Sequence, residues 1–184
     1  MIYRLSDEYY VRPLKASDLD GSYTSWFEDQ EVTRFNSHGK FFKNQEYFRN
    51  YYLNLNSEDK VVWAICHSKD GHIGNISLQS ISNINRNAEL AIIIGDKRHW
   101  GKNVGIKAGE ILLYHGFMKL NLEKIYCGTA AGNMGMCKMA EKLGMQLEGT
   151  RRSHLFLKGT WVDLLEYGIL RKDYEIPNHL AENS

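Results

Sequence analysis

The sequence predicts an α/β chain of the mixed α+β kind, with a central mixed, mostly antiparallel sheet flanked by helices. Three observations lead there. A β-rich run from Val61 to His67 is followed, across the turn Lys69-Asp70-Gly71, by an alternating run from Ile73 to Ile81, the spacing of an antiparallel hairpin. Ala88 to Gly95 is almost continuously apolar after Glu89 and leads into apolar residues at helical spacing, as when a central strand feeds a crossover helix. A second hairpin, about Gln146 to Leu157 and Trp161 to Leu170, turns at Lys158-Gly159-Thr160. Hairpins mixed with crossovers require helices on both faces of one sheet.

Taken in order, Tyr9 to Leu14 is a short β-rich run closed by Pro13. Ser17 suits the cap of a helix through about Phe27, with Leu19, Tyr23, Trp26 and Phe27 on one face. Glu28-Asp29-Gln30-Glu31 forms an acidic knot, and Arg34 to Gly39 a loop. A second helix spans about Asn44 to Leu55. After the first hairpin, Asn83 to Asn87 is a polar turn. Val104, Ala108, Ile111, Leu112, His115 and Met118 recur at helical spacing. Lys124 to Thr129 is a strand. Asn133 opens a helix with Met136, Met139, Ala140 and Leu143 toward the core, and Gly144 stops it. No repeat or linker interrupts the chain. Residues 1–174 therefore read as one domain and 175–184 as a polar tail expected to fray.

Composition narrows the function. With 184 residues, 43% hydrophobic and 24% charged, the chain has the profile of a globular domain. A net charge of +1 offers no global field for nucleic acid or an anionic membrane, so neither is expected as a partner. The three cysteines, Cys66, Cys127 and Cys137, are widely spaced and form no Cys-x-x-Cys. That pattern suggests neither a zinc site nor a disulfide framework, and free thiols suit the cytoplasm. The N-terminus has no apolar signal core and no run reaches membrane-spanning length, so a cytoplasmic location is expected.

The most informative stretch is AIIIGDKRHWGKNVGIK, from Ala91 to Lys107. A strand, a basic glycine-containing loop and a helix N-terminus make an anion site, because backbone N–H groups and the helix dipole point the same way. It is neither a Walker loop nor a dinucleotide fingerprint. By itself the pattern also fits an ordinary strand-to-helix turn with a solvated basic rim.

Further motifs carry a resemblance: Val11-Arg12-Pro13-Leu14, Trp26-Phe27-Glu28-Asp29-Gln30-Glu31-Val32, Asn87-Ala88-Glu89-Leu90, Trp100-Gly101-Lys102-Asn103, Asn133, Glu141-Lys142-Leu143-Gly144-Met145, Glu148-Gly149 and Lys158-Gly159. In this order and spacing the chain resembles the GNAT superfamily of acetyl-CoA-dependent N-acetyltransferases, most closely its RimJ/RimL-type branch, over about Tyr9 to Leu170. The resemblance implies acetyl-CoA as cosubstrate, no metal, and a pyrophosphate loop of the form Arg/Gln-x-x-Gly-x-Gly/Ala. Arg98 and Gly101 match that form, and Asn103 departs from its last position. His99, Trp100, Lys102, Val104 and Gly105 belong to the same loop and helix start, with His99 either a phosphate contact or a surface residue. Ile92, Ile93 and Ile94 would face the pantetheine arm where the strand splays from its neighbour. Asn133 would reach the cofactor, cap its helix, or do both.

The implied reaction is direct attack of a neutral amine on the thioester in a ternary complex. Glu89 is the candidate general base; its alternative role is a strand-end ion pair with Arg86. Many members of the family the chain resembles carry a Ser three residues, or a Tyr seven residues, after the helix-opening Asn as general acid. Here Met136 and Ala140 stand there, and neither donates a proton. Cys137 reads as a small buried apolar group.

In this architecture the early helices and the last hairpin wall the acceptor site. Trp26, Phe35 and Trp161, with Phe27, Phe41, Phe42, Tyr47, Tyr51 and Phe156, are therefore candidate walls, although aromatics also simply pack helices on sheets. The acceptor is expected to be a small-molecule amine, foremost a nucleotide-linked amino sugar, or a protein N-terminus. Glu28, Asp29 and Glu31 keep a polyamine or aminoglycoside in view. The rival class is a non-catalytic acyl-CoA-binding module. A homodimer is the assembly the branch implies.

Overall fold

The computed structural model describes residues 2–41, 43–55 and 57–181, so Phe42 and the end of the tail lie outside it. Eight strands form one sheet: β1 Tyr3–Arg4, β2 Tyr9–Pro13, β3 Val61–His67, β4 Gly71–Ser82, β5 Asn87–Ile94, β6 Lys124–Ala130, β7 Gln146–Leu157 and β8 Thr160–Leu170. Their spatial order is β1-β2-β3-β4-β5-β6-β8-β7. Every neighbouring pair is antiparallel except β5 with β6. The expected mixed, mostly antiparallel sheet is thus what the chain builds.

Among the described residues four α-helices accompany it: α1 Gln45–Leu53, α2 Val104–Tyr114, α3 Met134–Lys142 and α4 Asn178–Ala181. The main core lies between α2, α3 and one face of the sheet, where Ile76, Leu78, Leu90, Ile111, Leu112 and Phe117 are fully or nearly fully buried. On the opposite face Leu19, Tyr23, Trp26 and Phe48 form a smaller aromatic cluster against Ile93. The alternation of β5 therefore serves both layers, with Ile92 and Ile94 toward the main core and Ile93 toward the aromatic cluster.

The continuous helix expected from Ser17 to Phe27 is replaced by two short 3-10 turns, Ala16–Asp20 and Ser25–Phe27. Its cap is also displaced. The Asp18 carboxylate accepts the Lys15 amide at 2.7 Å and both guanidinium nitrogens of Arg12 at 2.7 Å. That tightens the first turn, and Gly21 leaves it in extended conformation. Leu19, Tyr23 and Trp26 are still buried, so the apolar spacing identified the right residues and the wrong backbone.

Helix α2 ends earlier than its apolar spacing suggests and continues as a π-helical turn, His115–Lys119. The C-terminal tail also departs from expectation: α4 brings Leu180 into the main core. No helix among the described residues is long and apolar enough to cross a membrane.

Candidate active site

The parallel pairing of β5 with β6 lasts three residues, with Asn87, Ala88 and Glu89 opposite Lys124, Ile125 and Tyr126. Beyond it β6 continues to Ala130 beside β8, and β5 continues to Ile94 beside β4. The sheet forks, with Glu89 at the apex. Among the described residues no strand lies beside the backbone groups of Leu90 to Ile94 that face away from β4. Backbone donors and acceptors need partners, so this flank is a slot for an extended, amide-bearing molecule. The splay expected at Ile92 to Ile94 is present.

A cavity of about 920 Å³ follows the fork, within the range typical of small-molecule and cofactor sites. Its lining takes in Glu89 to Ile94 together with Thr129, Ala130, Asn133 and Met136. It also takes in Tyr23, Phe27, Phe35, Tyr47, Tyr51 and the β4 residues Asn75, Ser77 and Gln79, which form its floor with β5. Cross-strand register sets that floor. Asn75 faces Ile93, Ser77 faces Ala91 and Gln79 faces Glu89, so all six residues share one face. Gln79 donates to the Ser77 hydroxyl at 3.0 Å. His72 contacts the Asn75 carboxamide oxygen at 2.7 Å and orients it.

These three polar β4 residues were missed as site residues. The sequence does show them as every second position of an alternating strand, but the polar face of such a strand ordinarily points to water. Here α1 and the 3-10 turns cover it.

At the far end of the fork Gly101 (φ +73) and Asn103 (φ +57) are both left-handed. Asparagine is one of the few non-glycine residues that adopt this conformation readily, so its departure from the loop pattern leaves the turn intact. No side chain caps α2. The first-turn amides of Val104, Gly105 and Ile106 therefore lack helical partners and border the cavity, a suitable seat for an anion. Trp100 also borders the cavity, and its indole N–H donates to the Ile94 carbonyl at 2.8 Å.

Other loop residues turn elsewhere. Arg98 is held by Asp96 at 2.6 Å and Asp70 at 3.1 Å, outside the cavity lining. His99 borders the cavity and is buried, not the surface residue of its alternative reading. Its side chain is 2% exposed, and Nδ1 lies 2.9 Å from the Tyr9 hydroxyl. Burial holds its imidazole below the ordinary pKa. Lys102 is exposed and outside the lining. Lys97 pairs with Asp29 at 3.0 Å and Glu31 at 2.9 Å, which neutralises much of the acidic knot.

Asn133 caps α3 through the Met136 amide at 3.3 Å and donates to Thr129 at 3.1 Å. Its cap role is filled, and it borders the cavity as well. Phe35 lines the cavity; Trp26 and Trp161 do not. Trp26 is buried beneath Gly95, where a Cβ would fall 1.8 Å from the indole. Trp161 is 64% exposed and packs on Phe156 at 5.2 Å in the β7–β8 hairpin.

Glu89 is half-buried, and among the described residues no donor or cation is bonded to its carboxylate. Arg86 instead bonds Asn121 at 2.8 and 2.9 Å and approaches Glu123 at 3.6 Å. The cysteines offer no nucleophile: all three are buried, and burial, aided by Glu89, pushes the Cys127 thiol up to about 12.

Residues 9–146 match the family model described as Acetyltransferase (GNAT) domain. The Bacillus subtilis (strain 168) protein named Probable N-acetyltransferase YjcK is 28% identical over 90% of this chain and 96% of its own. Spermidine N(1)-acetyltransferase of Escherichia coli (strain K12) is 29% identical over 55% of this chain and 54% of its own. Among solved structures, spermidine N-acetyltransferase from Vibrio cholerae in complex with CoA and spermine superposes with a TM-score of 0.83 at 23% identity, covering 92% of this chain and 99% of that one. Ribosomal-protein-S5-alanine acetyltransferase from Vibrio fischeri gives 0.81 at 19% identity, covering 95% and 99%. At those identities the superpositions show a shared fold.

Proposed function

Since the chain belongs to the GNAT acetyltransferase family and is an acyl-CoA-dependent acyltransferase with acetyl-CoA as donor, we propose that it acetylates a single primary amine presented to Glu89. The observation that carries this reading is the fork, which opens at Glu89 and ends at the uncapped start of α2. The α2 amides and the Gly101–Asn103 turn take the pyrophosphate. The pantetheine arm lies along Leu90 to Ile94 and replaces the missing strand, which sets the thioester near the apex.

Glu89, directly or through one water, removes the amine's proton before attack. A strand N–H near Ile93 faces the developing oxyanion. The departing thiolate takes its proton from water, because the α3 positions that would supply an acid are Met136 and Ala140.

The charges of the lining favour a nucleotide-linked amino sugar or a protein N-terminus as acceptor. Its carboxylates are Glu31, paired with Lys97, and Glu89; its long cations are Arg34, Lys43, Lys138 and Lys142. A polycation would meet one available carboxylate among several like charges, whereas a monoamine on a neutral or anionic body would not. The spermidine acetyltransferases among the relatives support a polyamine as the second reading.

Labelled acetyl-CoA offered with amino-sugar nucleotides, peptides and polyamines, with products identified by mass, separates the two. Glu89→Gln should lower kcat by roughly 10²–10⁴-fold with KM for acetyl-CoA little changed. Full turnover in that variant would remove Glu89 from the chemistry. CoA binding without thiol release for any amine would favour a binding module.

A further inference from the structure

In the loop between β5 and α2 and the turn beside it, two histidines converge on one carboxylate, and of the three only His99 borders the cavity. His67 ends β3, Asp70 sits in the turn before β4, and His99 lies in the loop after β5. Their nearest ligand atoms all lie within 4.8 Å of one another. We propose that His67, Asp70 and His99 bind a divalent metal ion, with zinc the best-matched occupant, and that the ion fastens the β3–β4 turn to the loop.

The hydrogen bonding of the cluster is incomplete as it stands. His67 Nδ1 lies 3.3 Å from the Asp70 amide, which requires a lone pair on that nitrogen. It also lies 2.6 Å from Asp70 Oδ2, which requires a proton there. One ring nitrogen cannot serve both. His99 Nε2 is buried without any hydrogen-bond partner among the described residues. It faces Asp70 Oδ2 at 3.4 Å and Asp96 Oδ2 at 3.8 Å. Buried polar atoms are rarely left unsatisfied, and here the orphan points at the oxygen that His67 also approaches.

A cation among these atoms gives His99 Nε2 its missing partner and replaces the direct contact of His67 Nδ1 with Oδ2, while the Asp70 amide, on an exposed turn, leaves that nitrogen for water. It accepts the lone pairs of both imidazoles and neutralises Oδ2. The Tyr9 hydroxyl on His99 Nδ1, at 2.9 Å, supplies the outer partner that metal-bound histidines ordinarily have, with Nδ1–H donated outward and Nε2 turned to the metal. Arg98 binds the other Asp70 oxygen, Oδ1, at 3.1 Å and leaves Oδ2 to the site. Two imidazoles and a carboxylate suit zinc, with the fourth position left to water or to Asp96. No sequence motif announces the set, because its members lie on separate elements.

Tag-free full-length protein, stripped with EDTA and exchanged into chelator-free buffer, would be titrated with Zn²⁺ against a chromophoric chelator and, separately, with Co²⁺ in the visible range. The expected result is one Zn²⁺ per chain, a tetrahedral Co²⁺ spectrum, and a Tm raised by Zn²⁺. His67→Ala and the near-isosteric Asp70→Asn should each weaken Zn²⁺ binding by at least about tenfold and abolish the Tm increase. Circular dichroism would establish that both variants fold. Absence of Zn²⁺ uptake by the wild type, or uptake undiminished in both variants, would overturn the proposal. These readouts do not depend on acetyl transfer, so they stand or fall apart from the proposed reaction.

Discussion

Arg12 and Asp18 meet where neither charge is stable alone. Their side chains are 13% and 6% exposed, and two hydrogen bonds of 2.7 Å join them. Burial pushes the Asp18 pKa up, but the Arg12 and Lys15 donors outweigh it, and the net displacement is downward. A carboxylate whose pKa is lower in the folded state adds stability above its unfolded pKa and loses it as pH falls through the folded value. With an ordinary value of 3.8, that contribution is complete at neutral pH and fades in the acid range. Arg12→Ala should cost about 3–5 kcal/mol, since it strands a buried carboxylate. Urea melts at neutral pH measure that loss, and a melt series below about pH 5 should flatten in Asp18→Asn relative to wild type. A loss under 1 kcal/mol for Arg12→Ala would show that Asp18 is readily hydrated or neutralised when alone.

The loop between β5 and α2 stands on two left-handed residues, and only one of them is glycine. Asn103→Val puts a β-branched side chain where the left-handed conformation costs about 1–2 kcal/mol. CoA affinity should fall roughly tenfold as the α2 amides tilt away, whereas Asn103→Gly should keep it; calorimetry with CoA tests both. Equal affinity in all three proteins would mean that this turn does not set the anion site. At this scale much was legible in the sequence. The strands from Val61 to Leu170 follow from alternation and turn residues, and α3 follows from Asn133 and Gly144, because those signals are local. Trp26 and Trp161 lie off the cavity lining, and aromatic character alone does not say which side of a layer a ring faces. Arg98 matches the loop pattern by position, yet its side chain is held by Asp96, two residues before it, and by Asp70, which only the fold brings close. Asn75, Ser77 and Gln79 lie on the polar face of an alternating strand, and alternation alone does not say that this face borders a cavity.

Across the whole molecule, three residue pairs are all that join β5 to β6, while β4–β5 and β6–β8 each pair over seven. In the free protein, backbone amides of Leu90 to Ile94 that face away from β4 should exchange with solvent faster than those bonded to it. Saturating CoA should slow them, while amides in the β7–β8 hairpin stay unchanged. Hydrogen-exchange mass spectrometry reads this directly, and unaltered exchange in β5 would place the arm elsewhere. A ligand that completes a sheet also acts as a folding partner, since binding only the native state stabilises it by about 2.7 kcal/mol at a hundred times Kd. We therefore expect the acyl donor to govern how long the protein lasts as well as what it does: when acetyl-CoA runs low, the open seam becomes the place where proteolysis begins.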